Sequence, residues 1–342
     1  MSCHLAPARA VTLCAAASLC IACAGTPPPP EAVPEPAPPA LTPVNVADAP
    51  RAELLPLRAL APRLRWTPPV PDEGRFVVLS LEPAAAGLPI FEVSAKASGR
   101  PLELIRLPGG SYLTLVAAPL GTREVPVDVE IRFFNGTRLN QRLSLKVTSR
   151  DFPASRLRVA PRYTRLDAAT LARVDRERAI IAAMRETITP APLWDGPFEL
   201  PLRGPTTSPY GQRRLFNNEL RSRHTGLDID GDTGDPVHAA NSGRVALSAD
   251  LFFNGQAVFI DHGLGLYTGY FHLSQRDVVA GEWVEKSQVI GRVGSTGRVT
   301  GPHLHWHMYL QGFSLDPRSL LDPEFTAISQ RLTPVSPLSI EP

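Results

Sequence analysis

Short runs of apolar, β-prone residues follow one another along the chain from about residue 74. In the first half they cover residues 76–81, 89–95, 102–107, 112–117, 125–134 and 138–147, and each run predicts a β-strand. In the last two runs apolar and polar residues alternate, as in a strand with one buried face. Asn135-Gly136, between the last two runs, is typical of a hairpin turn. Strands at this spacing predict a small β-sandwich over residues 74–150.

One stretch, residues 167–186, has the periodicity of a helix. Its apolar positions recur on one side, among arginines and glutamates; they are Leu171, Val174, Ile181 and Met184. Pro190 and Pro192 then interrupt the pattern. We therefore predict a connecting helix within residues 165–190.

Short apolar runs separated by glycine return after residue 198, at 243–247, 256–260, 266–273 and 288–294. They predict an all-β domain over residues 198–325, followed by a tail at 326–342. The predicted fold class is mainly β: this C-terminal domain, a small immunoglobulin-like β domain before it, and one helix between them.

The N-terminus has a different composition. Residues 11–22 form an apolar run behind Arg9, too short to span a bilayer, and predict a signal peptide over residues 1–22. Ala22-Cys23-Ala24-Gly25 resembles the lipobox of bacterial lipoproteins, which implies lipidation of Cys23 and a membrane anchor. An ordinary signal peptide with a chance cysteine is the alternative. All four cysteines lie at or before Cys23, so we expect no disulfide and no cysteine-ligated metal in the body.

Proline concentrates in the segment that follows, including an unbroken run at residues 27–30. We interpret residues 23–71 as a proline-rich tether; at about 3.1 Å per residue, roughly 20 to 40 extended residues would span about 60–120 Å. The formal net charge of +2 over 342 residues gives no reason to expect a nucleic-acid partner.

Candidate chemistry is concentrated near residue 300, where a Gly/Ser/Thr-rich loop leads into a predicted strand. Alternation gives this strand one histidine face and one apolar face; these are His303, His305 and His307, and Leu304, Trp306 and Met308. Residues two apart on a strand lie about 6.6 Å from each other. Two of these imidazoles can therefore serve one small site.

His224 and Asp228 supply a second imidazole and carboxylate pair. In a fully extended chain their Cα atoms would be about 13 Å apart, so we expect a turn or bulge at Gly226. Joined to His303 and His305, they provide two imidazoles and a carboxylate around an open position, the usual catalytic zinc set.

His224-x-x-x-Asp228 and His303-x-His305 resemble the motifs of the lysostaphin-type (LytM-like) zinc metallopeptidases, which cleave peptidoglycan cross-links. The likeness covers about residues 198–321 and includes Tyr210-Gly211, Tyr270-Phe271-His272-Leu273, Gly294-Ser295-Thr296-Gly297 and Leu315-Asp316-Pro317. The region before residue 198 is similar to the N-terminal half of periplasmic relatives.

The resemblance implies that His224, Asp228 and His305 bind one Zn²⁺ per chain. It implies that His303 is a general base or polarises the attacking water. His272 would orient that water or stabilise the oxyanion. Which of His272 and His303 takes the proton stays open.

Two further residues have alternative interpretations. His307, on the same strand face, is either a bystander or a residue at the rim of the site or behind its metal ligands. Arg213 either contacts a substrate carboxylate or braces a loop.

The function predicted from the resemblance is a zinc-dependent endopeptidase acting on peptidoglycan, with D-alanyl-diaminopimelate bonds favoured. The alternative is a non-catalytic regulator that activates another cell-wall hydrolase. We expect a periplasm-facing lipoprotein, with the outer membrane favoured over the inner. Envelope or division proteins as further partners stay open.

Overall fold

The structure is a computed structural model that describes residues 61–85, 87–156, 166–216, 219–330 and 332. The predicted signal peptide, Cys23, most of the tether and most of the tail lie outside these ranges. None of the helices described there is long and apolar enough to cross a membrane. The described part is mainly β, which confirms the predicted fold class.

Two four-stranded antiparallel sheets form an N-terminal sandwich, with strand orders β1-β2-β6-β5 and β4-β3-β7-β8. Their strands are β1 (Arg63–Thr67), β2 (Arg75–Glu82), β3 (Ile90–Ala97), β4 (Arg100–Leu102), β5 (Ile105–Arg106), β6 (Tyr112–Ala118), β7 (Glu124–Phe133) and β8 (Arg138–Lys146). Alternate residues of β7, among them Val127, Val129 and Ile131, pack against Val77 and Val116 of the other sheet. The two sheets therefore share one apolar core.

The predicted β7–β8 hairpin is confirmed, and Gly136 has a φ of 83°, a conformation that glycine adopts without strain. Strand β1 lies within the segment interpreted as tether. Leu64 and Trp66 of β1 pack on the sandwich core while Arg63 and Arg65 face solvent. The ordered sandwich thus begins before residue 71.

Strand β9 (Ala154–Arg156) and helix α1 (Ala168–Glu186) follow the sandwich. The helix begins after Asp167, whose side chain accepts a hydrogen bond from Thr170 N at 2.7 Å. Val174, Ile181 and Met184 face the protein, but Leu171 is 46% exposed, so its place in the apolar stripe is wrong. At 100° per residue Leu171 is about 60° from Val174 and about 140° from Met184, at the edge of the contact.

A C-terminal domain follows, built on an antiparallel sheet with the order β10-β13-β21-β17-β16-β15-β19, to which β22 adds next to β21. Its strands, including those of two small sheets, are β10 (Thr206–Ser208), β11 (Arg213–Phe216), β12 (Glu219–Arg223), β13 (Gly226–Ile229), β14 (Pro236–His238), β15 (Gly243–Leu251), β16 (Gly255–Asp261), β17 (Leu266–Leu273), β18 (Gln275–Arg276), β19 (Trp283–Val284), β20 (Val289–Arg292), β21 (Leu304–Leu310) and β22 (Phe313–Leu315). The small sheets have the orders β14-β20-β18 and β12-β11-β9.

The chain continues through a 3-10 turn (Pro317–Leu321) into helix α2 (Pro323–Ser329). Phe325 and Leu332 pack into the domain core, so ordered structure extends into the segment expected as a tail. Leu304, Trp306 and Met308 of β21 are fully buried in the same core, as alternation predicts.

The sandwich packs against the C-terminal domain through the outer face of β2 and β6. Phe76 and Val78 join the core of the C-terminal domain, whereas Val77 and Leu79 face the sandwich interior. Every residue of β6 is buried, because its sheet is covered on both faces. Strand β9 also pairs in parallel with β11, which ties the sandwich's exit segment to the ribbon beside the candidate site.

Candidate metal centre and its histidines

Strand pairing brings distant residues together at one end of β21. Asp228 on β13 lies directly opposite His305 on β21, so their side chains share one face of the sheet. His303 precedes β21 and bridges to Gly294. His224 lies just before β13, where its backbone N–H donates to Gln212 O at 2.9 Å.

His224, Asp228 and His305 present three donor atoms to one point. Asp228 Oδ1 is 3.0 Å from His224 Nε2 and 2.8 Å from His305 Nδ1. The two nitrogens are themselves 3.0 Å apart. In a tetrahedral zinc site with bonds of 2.0–2.1 Å, donor atoms lie about 3.3 Å apart. The three donors are a few tenths of an ångström closer than that, so two imidazoles and a carboxylate fit such an ion.

The outer nitrogen of each of these imidazoles is also engaged. His224 Nδ1 is 3.0 Å from Pro209 O, and because a carbonyl can only accept, Nδ1 carries the hydrogen and Nε2 the lone pair. His305 Nε2 is 3.4 Å from His307 Nδ1. Such outer contacts fix the tautomer and the ring orientation of a metal ligand.

The surroundings of the site favour a charged Asp228 and a neutral His305. Burial alone would raise the pKa of Asp228, but the close contacts of its carboxylate with His224 and His305 hold that pKa well below its usual range. Burial lowers the pKa of His305 to about 4. Both residues are therefore in their ligating protonation states at neutral pH.

His272 enters the site from β17 through an unusual backbone conformation. Phe271 and His272 together lie opposite the single residue Ala257, so β17 has a β-bulge at this point. His272 has a φ of 64°. Its backbone N–H donates to Asn254 O at 2.8 Å. The bulge turns the imidazole toward its neighbours, so that its ring centroid is 5.2 Å from that of His303 and 5.9 Å from that of His305.

His272 and His303 have the same hydrogen-bond polarity. His272 Nδ1 donates to Thr296 O and His303 Nδ1 donates to Gly301 O, each at 2.9 Å. In the neutral rings, each Nε2 then carries a lone pair, and His303 Nε2 lies 3.7 Å from Asp228 Oδ1. Burial, followed by the nearby His305 and His303, lowers the pKa of His272 to about 3.

Gly226 is required for space, whereas the sequence suggested a turn or a bulge; it pairs with His307 in an unbroken register. Strand structure is interrupted at His224 and Thr225 and resumes at Gly226, with no turn between. A Cβ atom on Gly226 would lie 2.3 Å from His305 Nε2 and 2.7 Å from Trp306 O. Glycine therefore lets the ring of His305 lie flat against β13.

The remaining sequence candidates have the following positions. Arg213 donates from Nε to Phe152 O at 3.1 Å and lies 3.6 Å from Asp151 Oδ1, contacts with the segment that leaves the sandwich. His307 is 3% exposed, so it is no rim residue. A further histidine, His262, is buried away from these residues, and its Nδ1 donates to Ser242 O at 2.8 Å.

Sequence reasoning passed over Arg214. Its guanidinium lies 3.5 Å from Asp228 Oδ2, on the side of the carboxylate away from the imidazoles. Neighbouring residues on a strand face opposite sides, so only one of Arg213 and Arg214 can contact Asp228. Strand alternation could therefore have indicated that one of the two arginines contacts the site, but it does not tell which one.

Known proteins are similar to this chain over the same residues. The sequence profile of peptidase family M23 matches residues 222–317. Peptidoglycan DD-endopeptidase ShyC of Vibrio cholerae is 41% identical over 125 residues, 36% of this chain and 29% of the relative. DD-carboxypeptidase/endopeptidase Mpg of Neisseria meningitidis is 39% identical over 122 residues, 35% of this chain and 28% of the relative. The similarity thus spans under a third of the length of these curated relatives.

A solved structure gives the broader match. It comes from Pseudomonas aeruginosa and is described as a member of peptidase M23. The two chains are 30% identical, with a TM-score of 0.55, and the similarity covers 77% of this chain and 97% of that one. The sandwich and the C-terminal domain therefore have a counterpart in one solved chain.

Proposed function

Because the chain belongs to peptidase family M23, we propose that it is a zinc-dependent endopeptidase that hydrolyses peptide cross-links of bacterial peptidoglycan. One observation carries the proposal: His224, Asp228 and His305 converge on one point, with His272 and His303 beside it. The similarity to enzymes named DD-endopeptidases supports the substrate class. A regulator without catalysis would have no use for this complete set.

In the proposed enzyme, His224 Nε2, Asp228 Oδ1 and His305 Nδ1 hold one Zn²⁺ per chain. Bound zinc would polarise the scissile carbonyl and make a water nucleophilic near neutral pH. Arg214 lies 3.5 Å from Asp228 Oδ2 and keeps that carboxylate oriented with Oδ1 toward the imidazoles.

His272 and His303 then orient the attacking water and accept its proton. Because each donates from Nδ1 to a carbonyl, each Nε2 can accept a hydrogen bond from that water. His303 Nε2 lies 3.7 Å from Asp228 Oδ1, beside the proposed metal position, so we assign proton transfer to Nε2 of His303 and water orientation to His272. His303 returns the proton to the leaving amine nitrogen.

The finer substrate assignment rests on the relatives' names and on one arginine. Bonds between D-residues fit the DD-endopeptidase relatives, and we propose D-alanyl-diaminopimelate bonds as the target. Arg213 has a half-exposed side chain and is our candidate for contacting a stem-peptide carboxylate.

We also propose that Cys23 is lipidated and anchors the enzyme in the periplasm-facing leaflet, with the outer membrane favoured. The proline-rich segment after Cys23 supports this, since an anchored enzyme must reach a polymeric substrate. Labelling with a radioactive fatty acid should mark the wild-type chain and leave Cys23→Ser unmarked; equal labelling would contradict the anchor.

The test of the function uses the chain without its signal peptide, loaded with zinc and incubated with purified peptidoglycan. We expect cross-linked muropeptide dimers to become monomers, as identified by mass, and a chelator to stop the reaction until zinc is restored. Asp228→Asn is the inactive control. If the folded, zinc-loaded protein releases nothing, the regulator alternative replaces the enzyme.

A further inference from the structure

A row of buried polar groups continues from the site behind the ring of His305. His305 Nδ1 faces Asp228 and His224, and its Nε2 is 3.4 Å from His307 Nδ1. His307 Nε2 is in turn 3.1 Å from Ser314 Oγ on the neighbouring strand β22. The row therefore runs from the proposed metal position through two imidazoles to a hydroxyl.

Only one arrangement of hydrogens makes this row compatible with a metal. To bind through Nδ1, His305 must keep its lone pair there and carry its hydrogen on Nε2. That buried N–H needs an acceptor, and the lone pair of His307 Nδ1 is within reach. His307 then carries its own hydrogen on Nε2, and Ser314 Oγ accepts it.

Ring packing holds both imidazoles in this arrangement. Phe271 stacks on His305 with centroids 5.2 Å apart and planes within 7°, and on His307 at 5.6 Å and 28°. Tyr309 packs on His307 at 4.3 Å. His307 is 3% exposed, so water does not compete freely for its nitrogens.

Ser314 also connects the row to the other imidazole of the site. Its backbone oxygen accepts from Tyr210 Oη at 2.8 Å. Tyr210 directly follows Pro209, whose carbonyl accepts from His224 Nδ1 at 3.0 Å. Ser314 thus contacts the outer partner of His305 through Oγ, and through its backbone oxygen it contacts the residue next to the outer partner of His224.

We propose that His307 is a positioning residue of the metal centre, which accepts the Nε2 hydrogen of His305 and is itself oriented by Ser314. An imidazole here does the work that a carboxylate, carbonyl or water usually does behind a ligating histidine. No ion pair with a carboxylate is recorded for His307 among the described residues. The inference rests on the proposed function, in which His305 binds zinc.

The test measures zinc affinity by competition with a chromophoric chelator, using the chain without its signal peptide. His307→Phe keeps a flat ring in the stack but removes the acceptor, and we expect about 10- to 100-fold weaker zinc binding. His307→Asn places a carbonyl oxygen near the position of Nδ1 and should restore most of the affinity. Ser314→Ala should weaken binding less than His307→Phe.

A second readout separates positioning from general damage. In the Co²⁺-loaded protein, the visible absorption reports ligand geometry, and it should change in His307→Phe and return in His307→Asn. His262→Phe, which removes another buried imidazole away from the site, is the control and should leave both readouts unchanged. Circular dichroism of each metal-free variant shows whether it has folded.

Two failures can be told apart. If the wild-type protein binds no zinc, the proposed function fails. If the wild type binds zinc and folded His307→Phe binds it equally well with the same Co²⁺ spectrum, the role of His307 is wrong while the function stands. Should His307→Phe not fold, Ser314→Ala decides: unchanged affinity and spectrum there overturn the proposal.

Discussion

The sandwich and the C-terminal domain are both antiparallel β-structures, but they bury different groups. Among the described residues, the buried polar side chains of the sandwich are Glu73 and Thr114. The C-terminal domain buries a larger set, which includes His224, Asp228, Asp261, His262, His272, His305 and His307. Five imidazoles inside one domain cost stability unless each has a partner, whereas the sandwich core is almost purely apolar.

The partners of these groups explain how the second domain tolerates them. His224, His262 and His272 each donate to a backbone carbonyl, and Asp228 Oδ1 lies 3.0 Å from His224 Nε2 and 2.8 Å from His305 Nδ1. Glu73 in the sandwich is also satisfied, by Gly121 N, Ser149 Oγ and Arg150 N. The hydrogen bonds of Glu73 join separate chain segments. Asp228, His224 and His305 instead direct three potential metal-binding atoms at one point.

Replacing one buried carboxylate in each domain should give the largest effects. Asp228→Asn should lower zinc affinity and cleavage by at least about 100-fold, the upper end of the loss expected for an outer partner. Glu73→Gln should cost about 1–3 kcal/mol of unfolding free energy and leave the activity per folded molecule unchanged. Zinc titration and urea unfolding of both variants check this; equal effects on activity would contradict the division.

A cavity in the sandwich should lower the unfolding free energy and leave zinc affinity unchanged. Ile131 is fully buried between the sheets, so Ile131→Ala should lower the unfolding free energy by about 2–5 kcal/mol. Zinc affinity at a temperature where the variant stays folded should equal that of the wild type. A weaker zinc site in folded Ile131→Ala would mean that the sandwich shapes the metal centre.

Adding a single methyl group at one position of the C-terminal domain should weaken zinc binding and leave the fold intact. In Gly226→Ala the new Cβ would collide with His305 Nε2, which displaces a proposed ligand. We expect about tenfold weaker zinc binding, with secondary structure retained. The exposed neighbour Thr225 supplies the control, since Thr225→Ala should bind zinc like the wild type.

The smallest expected effect concerns pH. Burial lowers the pKa of His262 to about 4, so between pH 6.5 and 4 the unfolded chain binds a proton that the folded chain excludes. This contribution to stability is complete above pH 6.5 and is lost as the pH falls. For one such group the loss between pH 7 and 5 is about 1–2 kcal/mol.

Denaturation of the metal-free protein at pH 7 and pH 5 checks that value. His262→Gln should lose less stability over this interval than the wild type does. If both lose the same amount, His262 does not carry the pH dependence assigned to it.

Local patterns predicted much of this fold. Alternation placed Leu304, Trp306 and Met308 in the core, and Asn135-Gly136 marked a real hairpin. Strand β1 was missed because prolines mask a short alternating run that is stable only on the sandwich core. Leu171 was misjudged because helical periodicity does not show how wide the contact is.

The site was predicted as a set of residues but not as a geometry. The motif spacing brought His224, Asp228, His303 and His305 together. The bulge that directs His272, the approach of Arg214 and the contact between His307 and Ser314 depend on pairings between strands far apart in the chain. No local pattern encodes such registers.

In the proposed centre, His305 binds the metal and His303 transfers the proton of the attacking water. The most direct measurement is the zinc content and the muropeptide release of His305→Ala and His303→Ala, prepared alike and compared with the wild type. We predict that His305→Ala loses both zinc and activity, and that His303→Ala keeps one zinc per chain and loses activity. Equal zinc loss in both variants, or an active His305→Ala, would contradict the account.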